Sequence, residues 1–121
     1  FDNYNHTSTA KDMVRLARVA IQDPVISKIV ATKHITVTDT TGKIAHNLQS
    51  TNELLEVIEG VKGVKTGWTQ GARENLITLV ERNNHKVMIA VLGSQDRFGE
   101  TKELINWIFA NYTWEETKNS K

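Results

Sequence analysis

The 121 residues, 39% hydrophobic and 24% charged, suit one modest globular domain with a core and are too few for two. Fifteen basic against fourteen acidic residues leave a net charge of +1 spread evenly along the chain, so no field favours nucleic acid or anionic lipid. The absence of cysteine excludes disulfides and thiolate metal sites, and His6, His34, His46 and His85 lack ligand spacing, so no metal or other cofactor is expected.

No apolar run approaches the ~20 residues of a membrane span, and the first twenty residues hold no signal-peptide core. In chain order, Thr9 and Asp12 form a capping-box pattern. Apolar residues then recur at Ala10, Met13, Val14, Ala17, Ala20 and Ile21, predicting a surface helix over 9–22 that stops at Asp23-Pro24. Lys11, Arg15 and Arg18 fall on its polar side. Residues 34–48, HITVTDTTGKIAHNL, predict a hairpin with a turn at Asp39 to Lys43, and 52–60 a short helical or irregular link. A strand ending in Lys65-Thr66-Gly67 follows, then a polar loop at Gln70 to Arg73 and two apolar strands, NLITLVE and KVMIAVLG, joined by a tight turn at Asn83-Asn84. ETKELINWIFANY predicts an amphipathic helix with Leu104, Ile108 and Tyr112 on one face, Ile105 and Phe109 beside them, able to lie on that sheet. The fold class expected is α/β (α+β): an antiparallel sheet with flanking helices, one domain over 1–114 and a frayed tail over 115–121. NLITLVE and KVMIAVLG are apolar on both faces, with only the C-terminal helix and the helix at 9–22 to cover them, so one sheet face is expected to be partly bare or hidden by a second copy of the chain.

The stretch GVKGVKTGWT, residues 60–69, is unusual, because Val61 and Val64 favour a strand while Gly60, Gly63 and Gly67 weaken one. Glycine inside a strand often marks close approach of a ligand or another backbone. Lys65 and Thr66 offer a cation and a hydroxyl there, which suits a carboxylate or a phosphate. A phosphate loop fits poorly, since Val64 precedes Lys65 and no helix follows Thr66. From three residues alone, a chance tripeptide in an edge strand stays open.

Four stretches in order, NHTSTAKDMVRLARVAI, HNLQSTNELL, GVKGVKTGWTQGARENLI and VLGSQDRFGETKELINW, closely resemble the serine-type D-alanyl-D-alanine carboxypeptidases, the low-molecular-mass penicillin-binding proteins of bacterial wall metabolism. The resemblance runs from about Asn3 to Trp114 and implies part of a DD-peptidase/β-lactamase-like transpeptidase domain. K-T-G is a known signature of this chemistry, alongside S-x-x-K and S-D-N. By resemblance, Lys65, Thr66 and Gly67 line the rim of the cleft. Lys65 and Thr66 would bind the terminal carboxylate of a peptidoglycan stem peptide ending in D-Ala-D-Ala, or that of an inhibiting β-lactam. Gly67 would leave room for a substrate lying along the strand, and the backbone N–H of Trp68 would serve the oxyanion hole.

The family acylates a serine in S-x-x-K and uses a second in S-x-N. Ser8-Thr9-Ala10-Lys11 and Ser50-Thr51-Asn52 match these strings, but Lys11 shares a polar helix face with two arginines and Ser50 stands only 15 positions before Lys65. Both are read as decoys, since by resemblance they also match other family segments, HxSTAxDM and NxNxLL, that are not catalytic. The nucleophile and its lysine are expected in an upstream half of the same domain, so residues 1–121 alone should be inactive. An exported, extracytoplasmic location follows from the resemblance. The alternatives are a non-catalytic wall-binding or interaction module, or a β-lactamase-type relative.

Overall fold

The computed structural model describes residues 2–115. Helix α1 (Ala10–Ala20) starts at Thr9, whose hydroxyl accepts from the Asp12 N–H at 3.1 Å and donates to the Asp12 carboxylate at 3.0 Å. Thr9 is the N-cap that the Thr9/Asp12 spacing predicts, with the Asp12 carboxylate reaching back to the Thr9 hydroxyl and not to its backbone N–H. Ala17 is buried, Met13, Val14, Ala20 and Ile21 are half-buried, and Lys11, Arg15 and Arg18 are exposed.

The chain does more than stop at Asp23-Pro24. The Asp23 carboxylate accepts from the N–H groups of Val25 and Ile26 at 2.8 and 3.0 Å, and Pro24 opens a second helix, α2 (Pro24–Val30). Its β-branched run, PVISKIV, has weak helix propensity, which hid it in the sequence.

The hairpin forms as expected from β1 (His34–Thr38) and β2 (Ala45–Gln49), with Ile35 opposite Leu48. Asp39 closes its turn by accepting from the Ile44 N–H at 2.8 Å, with Gly42 at φ +72°. Helix α3 (Leu54–Val57) then leads into β3 (Val61–Thr69), β4 (Arg73–Arg82) and β5 (His85–Ser94), an antiparallel sheet in that order. Asn83 and Asn84, at φ 51° and 63°, make the two-residue turn between β4 and β5. Helix α4 (Arg97–Asn111) begins three residues earlier than its apolar pattern suggests, because Asp96 accepts from the Gly99 N–H at 2.9 Å and caps it.

Side chains alternate along β4. Leu76 and Val80 join Ile89 and Val91 of β5, Leu54, Leu55 and Val61 in one core around Ile105 of α4. Full burial of a side chain such as Ile105 contributes about 1.5–3 kcal/mol. Ile77 and Leu79 point to the opposite face and are also buried, and α1 packs against β5 and β4. The expectation of a partly bare sheet face is therefore narrowed: α1 covers Ile77 and Leu79 on the face that α4 leaves, while Leu92 of β5 stays 38% exposed. Other exposed large apolar side chains stand on the outer side of α1 (Leu16, Val19), on α2 (Val25, Ile29) and on the hairpin (Ile35, Leu48).

The face of α4 is also corrected. Thr101 and Ile105 are buried, Ile108 and Phe109 half-buried, whereas Leu104 and Tyr112 are turned outward, 38% and 55% exposed. The stripe is centred on Ile105 because the helix starts at Arg97 and Phe98 joins the core at its first turn. The expected frayed tail, Glu115 apart, lies outside the described residues.

Candidate functional site

Strand β3 pairs with β4 on one side only and forms the edge of the sheet. Lys65, Thr66, Gly67 and Trp68 are consecutive on it, opposite Ile77, Leu76, Asn75 and Glu74. The strand runs on to Thr69, past the glycine where the sequence suggests it ends. Lys65 is exposed, Thr66 and Gly67 are half-exposed, and the Trp68 side chain is 65% exposed. The Lys65 ammonium donates to the carbonyl of Thr66, and among the described residues no carboxylate pairs with it.

The glycines of residues 60–69 divide into two kinds. A Cβ at Gly60 would lie 2.2 Å from the Glu81 carbonyl oxygen, and one at Gly63 would lie 2.9 Å from Val30 Cγ2; both have positive φ, +85° and +134°. These two serve the fold, since β4 and α2 approach the backbone there. Gly67 does not: its φ is ordinary and a Cβ there would meet only Asn75 Cβ, at a comfortable 3.8 Å. Among the described residues nothing else fills the space beside Gly67, and β3 has no partner strand on its outer edge.

Two residues reach this strand that the sequence did not point to. Arg97, the first residue of α4, donates from its guanidinium to the Gly67 carbonyl at 3.1 Å, while its N–H donates to the Glu74 carboxylate at 3.0 Å. It brings a second cation to the K-T-G strand. Only the distance in sequence concealed it. Thr51 lies 2.8 Å, oxygen to oxygen, from the Thr66 hydroxyl. It belongs to the Ser50-Thr51-Asn52 stretch read as a non-catalytic family segment, and that stretch touches the strand through its middle residue. Ser50 itself accepts from the Asn52 N–H at 3.2 Å. Ser8 is exposed ahead of α1, and Lys11 is exposed on it. Among the described residues no serine hydroxyl is hydrogen-bonded to a lysine or histidine.

The site is thus an exposed strand edge with a cation at Lys65, a second at Arg97, a hydroxyl at Thr66 and a bare backbone at Gly67. It can bind an anionic, extended chain end by charge-assisted hydrogen bonds and strand addition.

Comparisons with known proteins bear on the chain as a whole and on its fold. Residues 1–96 match the model of the D-alanyl-D-alanine carboxypeptidase family. Among curated proteins, the chain is 28% identical over 110 residues to the D-alanyl-D-alanine carboxypeptidase DacF of Bacillus subtilis, covering 88% of this chain and 28% of DacF. It is also 28% identical over 109 residues to DacB2 of Mycobacterium tuberculosis, covering 85% of this chain and 37% of that protein. Among solved structures, the Streptomyces K15 DD-transpeptidase superposes with a TM-score of 0.82 at 29% identity, covering 91% of this chain and 47% of the other. An evolved penicillin-binding protein homologue from Mycobacterium tuberculosis gives 0.77 at 26% identity, covering 92% and 44%. The chain therefore spans less than half the length of these relatives. The mixed helix and antiparallel-sheet fold is that of a DD-peptidase domain, and the chain belongs to the D-alanyl-D-alanine carboxypeptidase family.

Proposed function

We propose that residues 60–69 are the substrate-carboxylate end of a serine-type D-Ala-D-Ala carboxypeptidase site, in a protein that trims the terminal D-Ala of peptidoglycan stem peptides outside the cytoplasm. The observation that carries this reading is the open space beside Gly67 on an unpaired edge, flanked by Lys65, Thr66 and Arg97. A peptide ending in D-Ala-D-Ala lies along β3, its carboxylate held by the Lys65 ammonium and the Thr66 hydroxyl, with Arg97 adding positive potential. A serine supplied from outside these residues attacks the carbonyl of the penultimate D-Ala. The Trp68 N–H donates to the oxyanion, the C–N bond breaks, and D-Ala leaves with a proton on its amine. Water then hydrolyses the acyl-serine. β-Lactams inhibit by presenting a carboxylate to the same cation and hydroxyl. The likeness to a DD-transpeptidase supports a second outcome of the same acyl-serine, capture by an amine in place of water.

The test is to incubate the full-length protein with an acylated peptide ending in D-Ala-D-Ala and, separately, with a fluorescent penicillin. Release of D-Ala and a covalent label that the peptide competes away are expected. A folded protein that does neither would overturn the reading in favour of a non-catalytic wall-binding module.

A further inference from the structure

We propose that Thr51 is a positioning residue for the Thr66 hydroxyl, setting the direction of its proton so that the site prefers an anionic chain end over a neutral one. The inference rests on the carboxylate role of Thr66 proposed above and goes beyond it to a residue outside the K-T-G strand. The two hydroxyl oxygens are 2.8 Å apart, and either can donate. Each hydroxyl has one proton and two lone pairs. A carboxylate only accepts, so Thr66 binds one only by turning its own proton outward. Its oxygen is then free to accept, and the donor within reach is the Thr51 hydroxyl. The pair becomes a directed chain, Thr51 to Thr66 to carboxylate, in which each bond polarises the next. A C-terminal amide presents N–H groups as well as an oxygen, and gains much less from that ordering.

The placement of Thr51 is firm on both sides. The Ser50 N–H donates to the Lys33 carbonyl at 2.8 Å and closes the base of the hairpin. Asn52 is buried and its side chain accepts from the Leu54 N–H at 3.3 Å, where Leu54 and Leu55 are part of the core. Among the described residues Thr51 is exposed, and no packing of its side chain there accounts for the contact. Two anchored neighbours hold an otherwise free hydroxyl against the one hydroxyl of the K-T-G motif.

The experiment compares kcat/KM of the full-length protein and its Thr51→Val, Thr51→Ser, Thr66→Val and Thr51→Val/Thr66→Val variants, on an acylated D-Ala-D-Ala peptide and on its C-terminal amide. Thr51→Val should lower kcat/KM for the free acid by about five- to tenfold, the loss of one hydrogen bond of ordinary net strength, and leave the amide within about twofold. Thr51→Ser should restore the wild-type ratio of acid to amide. The double variant should be no worse than Thr66→Val alone, since Thr51 acts through Thr66. A defective Thr66→Val beside a normal Thr51→Val, or additive losses in the double variant, would overturn this inference and leave the carboxylate role standing. A normal Thr66→Val would take down both.

Discussion

The guanidinium of Arg97 donates to the carbonyl of Gly67, 3.1 Å away and 30 residues distant in the chain. Because the Arg97 N–H also holds Glu74, and Glu74 pairs with Trp68 across β3 and β4, one residue ties the start of α4 to both strands at the site. An ammonium at this position keeps the charge but not the planar fork. Arg97→Lys in the full-length protein is expected to lose about 1 kcal/mol of stability with the bond to Gly67 and to recover only part of the peptidase activity that Arg97→Ala loses. Denaturant titration and kcat/KM measured side by side check this; a lysine variant equal to wild type in both would show that the fork is idle.

Gly67 and Gly60 should respond oppositely to a methyl group. At Gly60 an added Cβ collides with the Glu81 carbonyl, and the residue has φ +85°. Gly60→Ala is expected to destabilise by more than about 1 kcal/mol, the strain of a left-handed alanine with a backbone clash added. Gly67→Ala meets nothing closer than 3.8 Å, so the thermal midpoint should hold while peptide hydrolysis falls. A Gly67→Ala protein with full activity would mean that no substrate backbone approaches this edge.

What the sequence disclosed and what it hid follow from the range of the interactions. Caps are local, so Thr9 with Asp12, the turn at Asp39 and the Asn83-Asn84 hairpin could be read from adjacent letters. Helix α2 was missed because its start signal, Asp23-Pro24, is also a stop signal, and its β-branched residues argue against a helix. The K-T-G strand was legible through its glycines and its family resemblance. Arg97 and Thr51 were not, because each contact joins residues that only the fold brings together. The apolar pattern on NLITLVE called for a second cover and the helix at 9–22 was at hand, but the pattern could not say how far along the strands that helix would reach.

The N-terminal segment is fastened next to the site by a carboxylate. The Thr69 hydroxyl, and after it the N–H of Gly71, hold the Asp2 carboxyl below the usual aspartate range, the Gly71 bond measuring 3.1 Å. A depressed folded value means that the detached segment takes up a proton more readily than the attached one. The attachment is therefore complete above the ordinary aspartate range and is lost as pH falls through the lowered value. The Gly71 amide resonance should move toward its detached position over that acid window. In Asp2→Asn it should show no such titration, and a transition shared by both proteins would assign the change to another group.

Lys65 faces the proposed carboxylate with no acidic partner of its own among the described residues. Replacing it with alanine in the full-length protein should raise the barrier for both peptide hydrolysis and β-lactam acylation by on the order of 1.5–3 kcal/mol, the value of a hydrogen bond to a charged group. Both ligands should suffer, because both present a carboxylate. Unchanged second-order rate constants with the two ligands would remove the cation from the binding role.

Residues 1–121 by themselves are expected to form no covalent adduct with penicillin. Acylation requires a serine whose proton is taken by a neighbouring base, with oxyanion donors in reach. Lys65, Thr66 and the Trp68 amide can bind a carboxylate and stabilise an oxyanion, but they include no activated nucleophile, and Thr66 is engaged with Thr51. Ser50 spends its oxygen on the Asn52 N–H, and Ser8 stands exposed at the edge of a helix whose Lys11 faces outward. Intact-mass measurement after incubation with a fluorescent penicillin and denaturation should therefore return the unmodified chain, whereas the full-length protein gains one label. A stoichiometric adduct on the 121-residue chain, mapped to Ser8 or Ser50, would show that one of these serines has a base within reach after all and would place the nucleophile within residues 1–121.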